Sequence, residues 1–223
     1  CATLFLVTLI AAGTQPELQW DFRKGTQKGK TWSFPSTDSK RKGTVTCNDY
    51  LSGGGINGGG ALVCGPGKAH RAYFGKLSNS SAAIEITFKL NAPPSRKMTL
   101  FSYQENTWGR AYFGIYLTPD SRFGILFNID NKQEKKKFSL ETAPAVLQAG
   151  SFHTLRATMT SGGMARIYLD GRLLKEDNGA MSFSDFTAPP VDAYHPFATL
   201  GHSYWGCNVG EPFDGLIAGL KIT

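Results

Sequence analysis

Two stretches of the chain concentrate side chains equipped for chemistry, "TWGRAYFGIY" at 107–116 and "GHSYWGC" at 201–207. The first holds Trp108, Arg110, Tyr112 and Tyr116; the second holds His202, Tyr204, Trp205 and Cys207. A Tyr or Trp ring stacks its apolar face on a flat ligand while its polar end finds a partner, and Arg and His reach hydroxyls or carboxylates. That set suits recognition of a sugar ring. The same residues admit proton chemistry, since Tyr112, Tyr204 or His202 could move a proton and Arg110 could neutralise a carboxylate. A packing reading stands beside both: Tyr112 and Tyr116 filling one side of a sheet beneath a loop, with Trp205 plugging its end.

Other chemistries find less support. "GHSYWG" departs from the Gly-x-Ser-x-Gly elbow, with Trp205 in the fifth place and no helix-forming sequence after Ser203. "GPGKAH" at 65–70 lacks the hydroxyl residue and glycine spacing of a phosphate loop. The histidines at 70, 153, 195 and 202 share no metal-ligand spacing with the cysteines, so neither metal nor cofactor is expected.

The elements that must position these residues read as strands. "IEITFKL" at 84–90 sets Ile84, Ile86, Phe88 and Leu90 against Glu85, Thr87 and Lys89, the period of a half-buried strand. Runs of the same kind follow in "KMTLFSY", "AYFGIYLT", "RFGILFNI", "FHTLRATMT", "MARIYLD" and "LIAGLKIT", separated by turn formers such as Pro119-Asp120, Ser161-Gly162-Gly163 and Asp170-Gly171. Asp-Gly in "IYLDGRLL" predicts a tight hairpin. In "AYFGIYL", Phe113, Ile115 and Leu117 belong to the core, with Arg110, Tyr112 and Tyr116 opposite. Leu216, Ala218, Leu220 and Ile222 are expected to seal the core from the last strand, with His202 to Trp205 facing a loop end. No segment keeps a helical period, and 26 Gly with 11 Pro fit a loop-rich, all-β antiparallel sandwich or jelly roll. "ELQWDFRKG" reads as an opening strand, and the rest of residues 14–83 as long loops.

Residues 1–13, "CATLFLVTLIAAG", are uncharged and apolar and place Ala11 and Gly13 as small residues before a cleavage point, the pattern of a truncated signal peptide. A single domain over 14–223, secreted or exposed at the cell surface and not integral to a membrane, is the expectation. Cys47 and Cys64 flank the Gly-rich stretch "NDYLSGGGINGGGALV", where a disulfide would hold the segment together and leave Cys207 over. Asn79 heads a glycosylation triplet. The formal net charge is +7, with Arg23, Lys24, Lys28, Lys30, Lys40, Arg41 and Lys42 gathered in one stretch and four lysines in Lys132–Lys137. Such clusters suit acidic partners or serve solubility.

Longer segments carry a resemblance. "SFHTLRATMTSGGMARIYLDGRLL", the strand "TLFSYQ" at 99–104 and the closing "ATLGHSYWG" followed by "EPFDGLIAGLKI" resemble laminin-G-like and pentraxin-like domains over roughly 84–223. The resemblance implies the concanavalin A-like jelly roll, a fold shared by lectins, adhesion modules, hydrolases and lyases. It also places the loops of Trp108 and His202–Trp205 on one side. Where pentraxins bind calcium, this chain has Thr107 to Arg110 and His202 to Trp205, without the carboxylates calcium prefers. Hydrolases of this fold carry alternate carboxylates, as in Glu-x-Asp-x-Glu, whereas Glu85 stands alone. The expected function is a lectin-like or adhesion module binding glycans, acidic ones among them, or glycoproteins. A polysaccharide lyase is the alternative, a protein-binding laminin-G-like module the third reading, and nucleic acid is disfavoured as a partner.

Overall fold

The computed structural model describes residues 18–37, 40–68, 70–74, 82–104, 111–130, 135–179, 197–205 and 208–223. The expected signal segment 1–13, the triplet at Asn79, and Trp108, Arg110 and Cys207 lie outside the described residues. In chain order the strands begin with β1 (Leu18–Trp20), β2 (Thr26–Lys28), β3 (Thr31–Pro35), β4 (Thr44–Cys47), β5 (Tyr50–Leu51) and β6 (Ala61–Cys64). Next come β7 (His70–Tyr73), β8 (Ala82–Leu90), β9 (Met98–Gln104), β10 (Ala111–Leu117), β11 (Phe123–Asp130), β12 (Lys135–Glu141) and β13 (Phe152–Met159). The chain closes with β14 (Met164–Leu169), β15 (Arg172–Asn178), β16 (Phe197–Leu200), β17 (Ser203–Trp205), β18 (Asn208–Gly210) and β19 (Gly215–Ile222).

Alternation explains the layers. In β8 the Ile84, Ile86, Phe88 and Leu90 side chains are buried, whereas Glu85, Thr87 and Lys89 are half-buried on the other face. An eight-stranded sheet runs β15-β14-β13-β8-β19-β6-β5, with β1 also paired to β19, and a nine-stranded sheet runs β12-β11-β10-β9-β16-β7-β4-β3-β2. The ladders are antiparallel. Facing side chains of both sheets form one core: Phe88 of β8 meets Phe123 of β11 edge-on at 6.0 Å. The Trp20 indole N–H of β1 donates to the Phe34 carbonyl of β3 at 3.2 Å, tying the sheets together near their edges. This is the antiparallel sandwich that the alternation predicts.

Three expectations change. Residues 14–83 are not mainly loops: β2 to β7 fall within them and build one side of the larger sheet and the edge of the smaller. Strands of two to five residues, broken by glycine, are too short to show a period by themselves, and pairing with longer neighbours orders them. The closing strand carries a bulge, with the register to β8 shifting between Ile217 and Gly219. Ile217, Leu220 and Ile222 therefore enter the main core, while Leu216 and Ala218 join Ala61 in a small outer cluster with Val63 and Phe152. Cys47 and Cys64, expected to be bridged, are free buried thiols. Their side chains enter the core from opposite sheets, Cys47 from β4 and Cys64 from β6. Burial pushes the Cys47 thiol up to about 12 and raises Cys64 as well, so both stay protonated.

The Asp-Gly hairpin between β14 and β15 forms as predicted. Asp170 takes a positive φ of 50° there, and its carboxylate accepts from Thr154 N–H at 2.8 Å and contacts His153 Nδ1 at 2.8 Å. Asp170→Ala removes both bonds and strains the left-handed position, so the unfolding free energy should fall by about 2 kcal/mol. Asp170→Asn should recover most of it. Denaturant midpoints of the two variants measure the difference, and equal midpoints would assign the turn to Gly171 alone.

Candidate functional site

The outer face of the nine-stranded sheet carries a row of residues in cross-strand register, polar over its first five positions. It runs from Ser33 through Thr46, Arg71, Thr199 and Ser102 to Gly114, Leu126 and Ser139. Opposed residues in such a ladder bring their Cβ atoms about 5 Å apart, so the row is continuous. The face has a covered half and an open half.

The covered half lies over β9 and β10. The chain leaving β18 runs along Thr99, whose N–H donates to the Glu211 carbonyl at 2.8 Å. The Glu211 carboxylate accepts from the Thr99 hydroxyl at 2.9 Å and pairs with Lys97 at 3.1 Å. Lys97 Nζ in turn sits 4.4 Å from the centre of the Tyr116 ring, and the Tyr116 hydroxyl donates to Glu141 at 2.8 Å. The tyrosine rings lie flat because their neighbours lack side chains. A Cβ on Gly124 would collide with the Tyr116 ring, and one on Gly114 would sit 2.5 Å from the Tyr112 hydroxyl. Next to them the Ser102 and Thr199 hydroxyls meet at 2.6 Å, and Thr199 donates to the His202 carbonyl at 2.6 Å.

These contacts revise the site read from sequence. Tyr112 is 5% and Tyr116 7% exposed, so neither ring offers a face for stacking. Burial raises both phenol pKa values, helped by the Glu211 carboxylate near each, and that keeps them protonated rather than available as bases. His202 is 1% exposed, so it faces inward rather than to a loop end. Its Nδ1 donates to the Leu200 carbonyl at 3.1 Å, and Nε2 is buried with no hydrogen-bond partner among the described residues. Tyr204 and Trp205 lie in β17, the first strand of the hairpin with β18. Of the expected ligand-binding set, the structure thus brings Tyr112 and Tyr116 together on one strand face, but as packing.

The open half belongs to β7, β4, β3 and β2. Tyr73 is 39% exposed there, and no described residue accepts from its hydroxyl. Register sets Pro35, Thr44 and Tyr73 side by side, and Lys42 completes a hollow of about 430 Å³ with Ser36 and Gly43. Arg71 stands two residues from Tyr73 on the same face, and Lys28 is exposed at the edge strand. An exposed aromatic ring, hydroxyls and cationic side chains therefore share one surface that no described segment covers. Sequence reading missed it although "HRAY" alternates: His70 and Ala72 are buried, Arg71 and Tyr73 are not. Among the described residues no three His, Cys, Asp or Glu side chains converge to hold a metal.

Residues 66–223 match the family model Laminin_G_3, the concanavalin A-like lectin/glucanases superfamily. The chain belongs to this superfamily. No curated protein matches the chain. Among solved structures, the carbohydrate-binding module CBM40 of Ruminococcus gnavus IT-sialidase, bound to α2,6-sialyllactose, is 19% identical over 64% of this chain and 76% of that one, with a TM-score of 0.52. The same module with α2,3-sialyllactose gives 18% identity over 73% and 87%, with a TM-score of 0.54. The leech intramolecular trans-sialidase gives 21% identity and a TM-score of 0.51 over 64% of this chain, which spans 21% of that enzyme. At these identities the likeness is one of superfamily fold. The matched segment includes Arg71 and Tyr73, while Pro35, Lys42 and Thr44 precede it.

Proposed function

We propose that this chain is a secreted or surface-exposed glycan-binding module that prefers acidic saccharides and holds them on the open half of the nine-stranded sheet. The observation that carries the reading is Tyr73, an exposed ring whose hydroxyl has no partner among the described residues, beside Lys42 and on the face that also bears Arg71. A ring of this kind covers the apolar face of a pyranose, and the cations attract a sialate or uronate carboxylate. Support also comes from similarity to a module solved with sialyllactose, a saccharide carrying a carboxylate. Lys28, Lys40 and Lys42, all exposed, add a positive field around the hollow.

Retention on immobilised sialyllactose and heparin tests the proposal. Tyr73→Ala should weaken binding about five- to tenfold, in line with the loss of one aromatic contact. Lys42→Glu should weaken it further and flatten its dependence on salt. Retention unchanged by both substitutions would overturn this site, and a time-dependent absorbance of unsaturated uronates would replace binding with lyase chemistry.

A further inference from the structure

A second hollow, of about 530 Å³, opens at the other side of β3, where Gln27, Lys30, Trp32, Asn48 and Asp49 line it. Its volume lies within the range of small-molecule sites, about 300–1,000 Å³. Gln27 and Trp32 are register partners on β2 and β3 and share the face opposite Thr26, Lys28 and Ser33, so this hollow and the Tyr73 surface share no side chain.

Trp32 is held in place before any ligand arrives. Its ring lies nearly parallel to Phe34, at 16° and 6.2 Å between centres, and against Tyr50 at 5.0 Å. The indole is half-buried, and among the described residues nothing accepts from its N–H. The polar groups around it are used on one side and unused on the other. Asn48 Oδ1 accepts from the Thr31 hydroxyl at 3.3 Å, leaving its N–H₂ without a described partner. Gln27 donates to the Gly29 carbonyl at 3.1 Å, leaving its side-chain oxygen. Asp49 Oδ1 takes Lys68 at 2.6 Å, leaving Oδ2. Among the described residues, a rigid aromatic platform is thus bordered by unpaired donors from Trp32, Asn48 and Lys30 and unpaired acceptors from Gln27 and Asp49.

We infer that this hollow is a separate binding site for a neutral pyranose. The unpaired acceptors call for O–H donors, and the unpaired donors call for ring or hydroxyl oxygens; vicinal hydroxyls provide both. The indole covers the apolar face of the ring, and its fixed position removes part of the ordering cost of binding. A neutral sugar meets Gln27 and Asp49 with hydroxyl donors, which a carboxylate group lacks. All seven residues that line the hollow precede residue 66, where the family-model match begins. Together with the Tyr73 surface it makes the module bivalent, with one site for acidic and one for neutral residues of a glycan.

Tryptophan fluorescence titrations with cellobiose, lactose and mannobiose test this, using the whole chain. At least one disaccharide should change the emission saturably in the wild type and equally in Tyr73→Ala. Trp32→Phe, which keeps an aromatic ring against Phe34 and Tyr50, should abolish that change. Asn48→Ala, at an exposed position, should raise the apparent Kd at least tenfold while retention on sialyllactose stays at the wild-type level. No saturable change with any of the three sugars overturns the inference, as does an identical titration in Asn48→Ala. Loss of sialyllactose retention in Tyr73→Ala with the disaccharide titration intact separates this site from the acidic one.

Discussion

Phe88→Ala is expected to lower the unfolding free energy by about 3–5 kcal/mol, the largest effect of any single substitution considered. Phe88 is fully buried at the middle of the smaller sheet. Its ring meets Phe123 of the facing sheet at 6.0 Å, Phe213 at 5.9 Å and edge-on, and His153 at 5.9 Å. Truncation leaves a cavity between sheets that β-ladders hold rigidly, so collapse recovers little of the loss. Phe88→Leu keeps most of the volume and should cost about 1–2 kcal/mol. Chemical denaturation of both variants measures this. A Phe88→Ala cost below that of Asp170→Ala would mean that the sheets are not pinned at this point.

Acidification should destabilise the fold between about pH 6.5 and 4, through histidines buried as neutral rings. Burial pushes His202 down to about 4, with His70 and Arg71 nearby acting in the same direction, and burial lowers His70 as well. The sign follows from which state takes the proton. Below about pH 6.5 the unfolded chain protonates both imidazoles while the folded chain keeps them neutral, so unfolding gains. Above that pH the effect vanishes. For His202 alone the window corresponds to roughly 3 kcal/mol. Geometry agrees, since Nδ1 of His202 and Nε2 of His70 each donate to a backbone carbonyl, at 3.1 and 2.9 Å, and their other nitrogens are buried without partners among the described residues. Denaturant midpoints at pH 7.5 and 4.5 should diverge in the wild type and converge in part in His202→Asn. A variant with the full wild-type slope would place the acid sensitivity on the carboxylates instead.

Phe88 lies on a strand that is legible in the sequence, whereas His202 lies between strands and His70 on β7, which no period marks. The period of "IEITFKL" places Phe88 inward, and it does so because the side-chain repeat of a strand is two residues whatever the partner. The same rule assigns Phe113, Ile115 and Leu117 to the core. It fails at Ala218, where one bulge residue exchanges the faces of Leu216 and Ile217, and no composition signal marks it. It is also silent for β2 to β7, whose strands are ordered by longer neighbours.

The site shows the same division. Residue type alone singled out Tyr112, Tyr116 and His202, and their faces were read correctly for the two tyrosines. Whether such a ring meets water depends on what the chain lays over it, here Lys97 over Tyr116 and the Glu211 segment, which comes from a distant part of the sequence. The exposure of Tyr73 and the half-burial of Trp32 are set the same way, by the strands paired around them. The sequence by itself determined the all-β sandwich, the strands from 84 onward and the Asp170 turn, because these follow from local periodicity and backbone preference. Only the tertiary structure decided which aromatic rings face solvent, since exposure is set by long-range pairing and by the covering segment rather than by the ring's own neighbours.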